Sequence, residues 1–141
     1  MLLVMLLALM PGFVMAKAES EGLPPDTRFY TPKPNHGAIE QIIDLWHDHN
    51  WADAILIKEM IRTPQSVWFT AGTPQSVQRD VRRTVQFAAF RHSVPVLVAY
   101  NIPFRDCAQF SAGGATTVEE YKAWIDGFAR GIGHKEAIVI L

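Results

Sequence analysis

The chain has 141 residues, 49% of them apolar, and a formal charge of −1, the size and balance of one globular domain. Its 13 basic and 14 acidic side chains are interspersed, so there is no basic stripe to neutralise nucleic-acid phosphates and no acidic tail. Neither a nucleic-acid partner nor a charged-surface partner is implied.

Residues Leu2–Ala16 make an apolar run of 15 residues, short of the roughly 20 that span a bilayer and suited to a signal-peptide core. Ala16-Lys17-Ala18 puts small residues at the two positions a signal peptidase reads. The expectation is a leader over 1–18, no integral membrane span, and a secreted, extracellular product starting at Glu19. No Lys or Arg precedes the apolar core, so a mis-assigned start or a truncated leader is the competing reading. Residues 19–36 form a Pro-rich lead-in through Leu23-Pro24-Pro25 and Thr31-Pro32-Lys33-Pro34, where proline fixes φ and removes donors. Residues 37–141 are then expected to form one unit.

Ile39, Ile42, Ile43 and Trp46 recur at helical spacing, and a second helical stretch runs from Ala52 to about Ile61. Both are expected in an outer layer. From residue 66 strand and helix alternate, the mark of parallel βα units. Ser66–Thr70 reads as a strand. Thr73 caps a helix opened by Pro74, whose stripe of Val77, Val81, Val85, Ala88 and Ala89 faces a sheet, ending near Ser93. Val94–Tyr100 is a Val-rich parallel strand. Val118–Ile132 forms a helix burying Tyr121, Trp124, Ile125 and Phe128, ended by Gly131 and Gly133. Ala137–Leu141 is a third strand. Thr63–Val67 repeats as Thr73–Val77, but one copy leads into a strand and the other into a helix, so no repeat architecture follows.

The chemistry is concentrated in Tyr100-Asn101-Ile102-Pro103-Phe104-Arg105-Asp106-Cys107-Ala108-Gln109-Phe110-Ser111-Ala112-Gly113-Gly114. This loop leaves the C-terminal end of a parallel strand, where βα folds place their active groups. By residue type alone, Arg105 and Asp106 are equally well a solvated loop pair.

The pattern Tyr-Asn-Ile-Pro-x-Arg-Asp-Cys followed by Ser-Ala-Gly-Gly resembles the signature around the first aspartate of family 6 glycoside hydrolases, β-1,4-glucanases of cellulose-like chains. Phe29-Tyr30, Ser66-Val67-Trp68-Phe69-Thr70 with Gly72-Thr73-Pro74, and Tyr121-x-x-Trp124-Ile125-Asp126-Gly127-Phe128 extend the resemblance from about residue 29 to 141. It implies an α/β fold comprising the first three strands of a distorted seven-stranded (β/α) barrel. Asp106 matches the aspartate that sets the protonation of the catalytic acid and helps a water attack, and Arg105 would hold it ionised and oriented. Tyr100 matches the tyrosine beside the distorting sugar. Ser111, with Gly113 and Gly114, matches a mobile loop that closes on substrate. Trp68 matches an aromatic platform under a glucosyl unit; a strand Trp is otherwise usually core. Trp46, Trp51 and Trp124 have no such match and are expected to be packing residues.

The resemblance further implies that the general acid follows strand three directly, within Glu-Pro-Asp, so the 141 residues are expected to hold half of an inverting site. The missing downstream half would also carry a disulfide partner for Cys107, otherwise a buried small residue. The expected activity is that of an inverting β-1,4-glucanase on a β-glucan or cellulose chain, inactive in this length of chain. A non-catalytic carbohydrate-binding fragment and a non-folding product of a split gene are the alternatives. No metal or organic cofactor is expected. His47 and His49 stand two apart and point to different faces, and the Ser111–Ala115 stretch lacks phosphate-loop spacing.

Overall fold

A computed structural model describes residues 22–106 and 112–141. Seven elements follow in order: α1 (His36–His47), α2 (Trp51–Met60), β1 (Val67–Phe69), α3 (Pro74–Phe90), β2 (Val96–Ala99), α4 (Val118–Ile132) and β3 (Ile138–Ile140). The strands form one parallel sheet in the order β1-β2-β3. Val67 pairs with Leu97, and Leu97 with Val139. The architecture is the expected partial α/β barrel, an open arc of three strands.

Each helix begins where its side chains satisfy the first free N–H groups. Asn35 accepts from the Ala38 N–H at 2.7 Å, so α1 starts at His36, one residue before the expected Gly37. Thr73 caps α3 as expected, with Pro74 in its first turn. Thr117 accepts from the Glu120 N–H at 3.0 Å, while the Glu120 carboxylate takes the Thr116 N–H at 2.8 Å and its hydroxyl at 2.7 Å. These bonds to Thr116 hold the Glu120 carboxyl below its ordinary value.

α3 and α4 cover one face of the sheet. Val77, Val81 and Val85 of α3 pack with Trp124 and Phe128 of α4 on Leu97 and Ala99. Trp124 is fully buried, and its indole N–H donates to the Ala71 carbonyl at 3.2 Å. The two helices approach closely through Gly127 and Gly131, one turn apart. A Cβ at Gly127 would overlap the carbonyl oxygen of Pro74, and one at Gly131 would stand 2.7 Å from the Val81 Cβ. Gly131 therefore does not end α4, as expected from its residue type; it is a packing position inside the helix. Ala89, expected on the sheet-facing stripe, is exposed instead. The 3.6-residue period carries it off the face that Val81, Val85 and Ala88 define.

The Pro-rich lead-in is less separate than its composition suggests. Phe29 forms a parallel bridge with Val94. The Tyr30 N–H donates to the Val94 carbonyl at 2.9 Å, and the Val94 N–H to Arg28 at 2.8 Å. Arg91 closes the junction, donating to the Thr31 carbonyl at 3.1 Å with its guanidinium over the Tyr30 ring. α1 and α2 form a hairpin that buries only Ala38 and Ala54 fully, so the outer-layer placement holds. Trp46 and Trp51 are each 48% exposed and correct the expectation that they are packing residues; Trp124 alone of the three is core. No helix among the described residues is long and apolar enough to cross a membrane.

Candidate active site

Two strand ends and the loop after β2 build the site. Along a strand, successive side chains point to opposite faces. Val67 and Phe69 pack on the helical side, so Trp68 projects from the open face of the sheet, 59% exposed. Its indole N–H donates to the Ser66 hydroxyl at 3.0 Å. The Trp68 and Tyr100 rings meet edge to face, centroids 5.7 Å apart at 82°. Tyr100 directly follows β2, and its N–H continues the ladder to the Phe69 carbonyl at 2.8 Å. The C-terminal ends of β1 and β2 therefore hold these two aromatic side chains in contact.

The loop returns a charge pair to the same place. The Tyr100 hydroxyl donates to both carboxylate oxygens of Asp106, at 3.0 and 3.1 Å. Arg105 Nη1 meets Asp106 Oδ2 at 3.3 Å, its guanidinium lies 4.9 Å over the Tyr100 ring, and Nη2 donates to the Thr70 carbonyl at 3.4 Å. A cation above an aromatic face and beside a carboxylate is attracted by both. The Asp106 carboxylate, accepting the phenolic hydrogen bond, is the chief cause that raises the Tyr100 hydroxyl above its ordinary value. Burial and the Asp106 charge add to this, and Arg105 opposes it. The upward direction favours the neutral phenol, the form that donates to Asp106.

The backbone gives this loop its shape. The Ala115 N–H donates to the carbonyl of buried Asn101 at 3.2 Å, and the Gly113 N–H to that of Arg105 at 3.2 Å, forming an antiparallel bridge. Phe104 and Asp106 adopt left-handed φ values of 55° and 53°, conformations that cost a non-glycine residue roughly 1–2 kcal/mol each and that cluster at functional sites. Gly114, at φ 90°, lies so close to the Ile102 carbonyl that no Cβ fits, and a Cβ on Gly113 would stand 3.2 Å from Arg105 Nη2. The Gly pair therefore lets the returning chain pass under the arginine.

Of the site residues expected from sequence, Trp68, Tyr100, Arg105 and Asp106 are brought together. Ser111 and Cys107 lie outside the described residues. Thr70, whose carbonyl anchors Arg105, and Asn101, whose carbonyl closes the loop, were not singled out. Asn101 carried a signal in its place inside Tyr-Asn-Ile-Pro, and Thr70 in closing Ser66-Val67-Trp68-Phe69-Thr70, but neither motif marks a backbone carbonyl as the contact. Among the described residues no three His, Cys, Asp or Glu side chains converge to hold a metal ion. A cavity of about 770 Å³ lies at the opposite ends of the strands, between Arg28, His92 and His134.

The model of the family described as Glycosyl hydrolases family 6 matches residues 25–141. Endoglucanase 1 of Streptomyces sp. (strain KSM-9) is 40% identical over 103 residues, covering 70% of this chain and 29% of that protein. Endoglucanase A of Thermobispora bispora is 40% identical over 78 residues, covering 55% of this chain and 17% of its own length. The chain thus spans under a third of these relatives. The endoglucanase Cel6 from Mycobacterium tuberculosis, solved with methyl-cellobiosyl-4-deoxy-4-thio-β-D-cellobioside, superposes with a TM-score of 0.65 at 29% identity, over 82% of this chain and 38% of that one. By its sequence from residue 25 onward and by its fold, the chain belongs to glycosyl hydrolase family 6.

Proposed function

We propose that Trp68, Tyr100, Arg105 and Asp106 form the substrate-facing part of an inverting β-1,4-glucanase site in a secreted protein. The observation that carries this reading is one contact chain: an exposed indole against Tyr100, and Tyr100 hydrogen-bonded to an Arg-paired Asp106, all at the C-terminal end of parallel strands. A flat indole suits the C–H face of a glucosyl ring and costs little side-chain entropy to hold in place. Beside it, the Tyr100 phenol abuts the ring that distorts toward an oxocarbenium-like transition state. Asp106 accepts a proton from the attacking water, directly or through a second water, and its charge favours the protonated form of the general acid.

Inversion needs that acid on the opposite side of the bond, about 6.5–9.5 Å from the group that draws the water's proton. By the family resemblance that acid would follow β3 and is not among the 141 residues. The 141 residues assayed alone are therefore expected to bind glucan without cleaving it. The exposure of Trp68 supports this binding-only reading of the isolated chain.

The test is a calorimetric titration with cellotetraose. Truncating a well-placed aromatic anchor costs 2 kcal/mol or more at an interface, so Trp68→Ala should weaken binding by about 30-fold and move the thermal midpoint little. A lowered midpoint with unchanged affinity would mark Trp68 as a packing residue and overturn the proposal. Release of reducing sugar from carboxymethyl cellulose by the chain alone, lost in Asp106→Ala, would refute the account of the acid.

A further inference from the structure

Trp68 is an exposed indole whose N–H is nonetheless bound to the protein. It donates to the Ser66 hydroxyl at 3.0 Å while the side chain stays open to solvent. The other indoles divide differently. That of Trp124 is enclosed and donates to the Ala71 carbonyl, because a buried N–H without a partner is costly. Those of Trp46 and Trp51 are half exposed and donate to no protein group among the described residues; water serves them. Water would serve Trp68 as well. Its bond to Ser66 is therefore not required to satisfy the N–H, and what the bond sets is the orientation of the ring.

Ser66 is fixed independently of the ring it holds. Ser66 and Trp68 stand two apart, so their side chains leave the same face of the strand, opposite to Val67 and Phe69, which pack on the helices. Just upstream, Pro64 fixes its own φ, and the Gln65 side-chain amide donates to the Met60 carbonyl at the end of α2 at 2.8 Å. The second support of the indole is the Tyr100 ring, edge to face with it, and Tyr100 is itself tied to β1 by its bond to the Phe69 carbonyl. A Trp side chain has two rotatable torsions, and here two anchored groups hold them.

We infer that Ser66 is a positioning residue for the glucosyl platform: it takes up the indole N–H, so that Trp68 meets a sugar with its ring already set, and it acts through Trp68 rather than on the sugar. This inference rests on the proposed role of Trp68. A ring held before the ligand arrives removes part of the ordering cost of binding. The bond also spends the indole's only donor, so Trp68 contributes to binding by its ring face and leaves the sugar hydroxyls to other groups. Loss of one such hydrogen bond corresponds to about fivefold in affinity.

The test makes the same substitution in two backgrounds and reads both by calorimetric titration with cellotetraose. Ser66→Ala should weaken binding about fivefold in the unaltered background, and Ser66→Thr, which keeps the hydroxyl, should bind as the parent does. In a Trp68→Phe background Ser66→Ala should change affinity little, because phenylalanine has no N–H to hold. An equal loss in both backgrounds would mean that Ser66 acts on the sugar or on the fold, and overturns the inference; so does an unchanged affinity in Ser66→Ala, or a Ser66→Thr chain as weak as Ser66→Ala. An unchanged affinity in Trp68→Ala overturns the reading of the platform instead. A second measurement needs no ligand: the solvent exchange of the four indole N–H protons, read by saturation transfer from water. The Trp68 proton should exchange several-fold more slowly than those of Trp46 and Trp51 and should join them in Ser66→Ala. A Trp68 proton that already exchanges as fast as theirs in the unaltered chain overturns the inference.

Discussion

Replacing Gly127 by alanine tests whether α4 lies where the packing requires it. Two effects oppose each other. Alanine inside a helix is favoured over glycine by about 1 kcal/mol. Against this, the added methyl would overlap the Pro74 carbonyl oxygen and stand 3.0 Å from the Pro74 Cα, where carbon atoms pack best at about 3.5–4.0 Å. The obstruction is backbone at the start of α3, so no side chain can swing aside; the helices must part. Overpacking of this kind costs about 1–3 kcal/mol, and a backbone obstruction belongs at the upper end. The net loss is about 2 kcal/mol, or a thermal midpoint lower by roughly 8 °C for a domain of this size. Circular dichroism at 222 nm reads it, with Ala123→Gly on the exposed face of α4 as the control for propensity, expected to cost about 1 kcal/mol. A Gly127→Ala protein that melts at or above the parent temperature would refute the close approach of α3 and α4.

Three further outcomes follow from single contacts. The raised Tyr100 value means that the stability from its bond to Asp106 is complete below the unfolded tyrosine value near pH 10 and is lost as pH rises through the folded value; absorbance at 295 nm, compared with Tyr100→Phe, should show late ionisation that Asp106→Asn moves earlier. Thr117→Ala should cost about 1 kcal/mol, because it removes the cap that Thr117 gives the Glu120 N–H. β1 and β3 each have an edge unpaired among the described residues, and Val139 and Ile140 are 40% and 49% exposed; apolar edges of this kind associate, so size-exclusion chromatography should give a concentration-dependent elution that Val139→Lys returns to the 15.8 kDa monomer.

What the sequence made legible was local. Thr73-Pro74 and the valine stripe of α3, the Val-rich run of β2 and the span of α4 are written in neighbours three or four residues apart, and those elements appear where the pattern puts them. Pairings between distant segments were not legible. Phe29 bridges Val94 through backbone groups that any residue supplies. Gly131 reads as a terminator by type, and only the position of Val81 on another helix turns it into a contact. Trp46, Trp51 and Trp124 are alike in pattern, yet only Trp124 is enclosed, because burial depends on which helices have a neighbour. Within the candidate site, the motif named Tyr100, Arg105 and Asp106, but not the bond between Tyr100 and Asp106. That bond depends on left-handed backbone at Phe104 and Asp106, a conformation their residue types do not announce.

The central claim is that glucan lies against Trp68 at the ends of β1 and β2. The chain has four tryptophans, so ¹⁹F resonances of the 5-fluorotryptophan-labelled protein, each assigned by a Trp→Phe substitution, report on every indole at once. With cellotetraose added at concentrations where the chain is monomeric, the Trp68 resonance should shift saturably while that of buried Trp124 stays still. A Trp68 resonance that does not move at saturating cellotetraose, or moves only together with Trp124, would contradict the placement of the sugar.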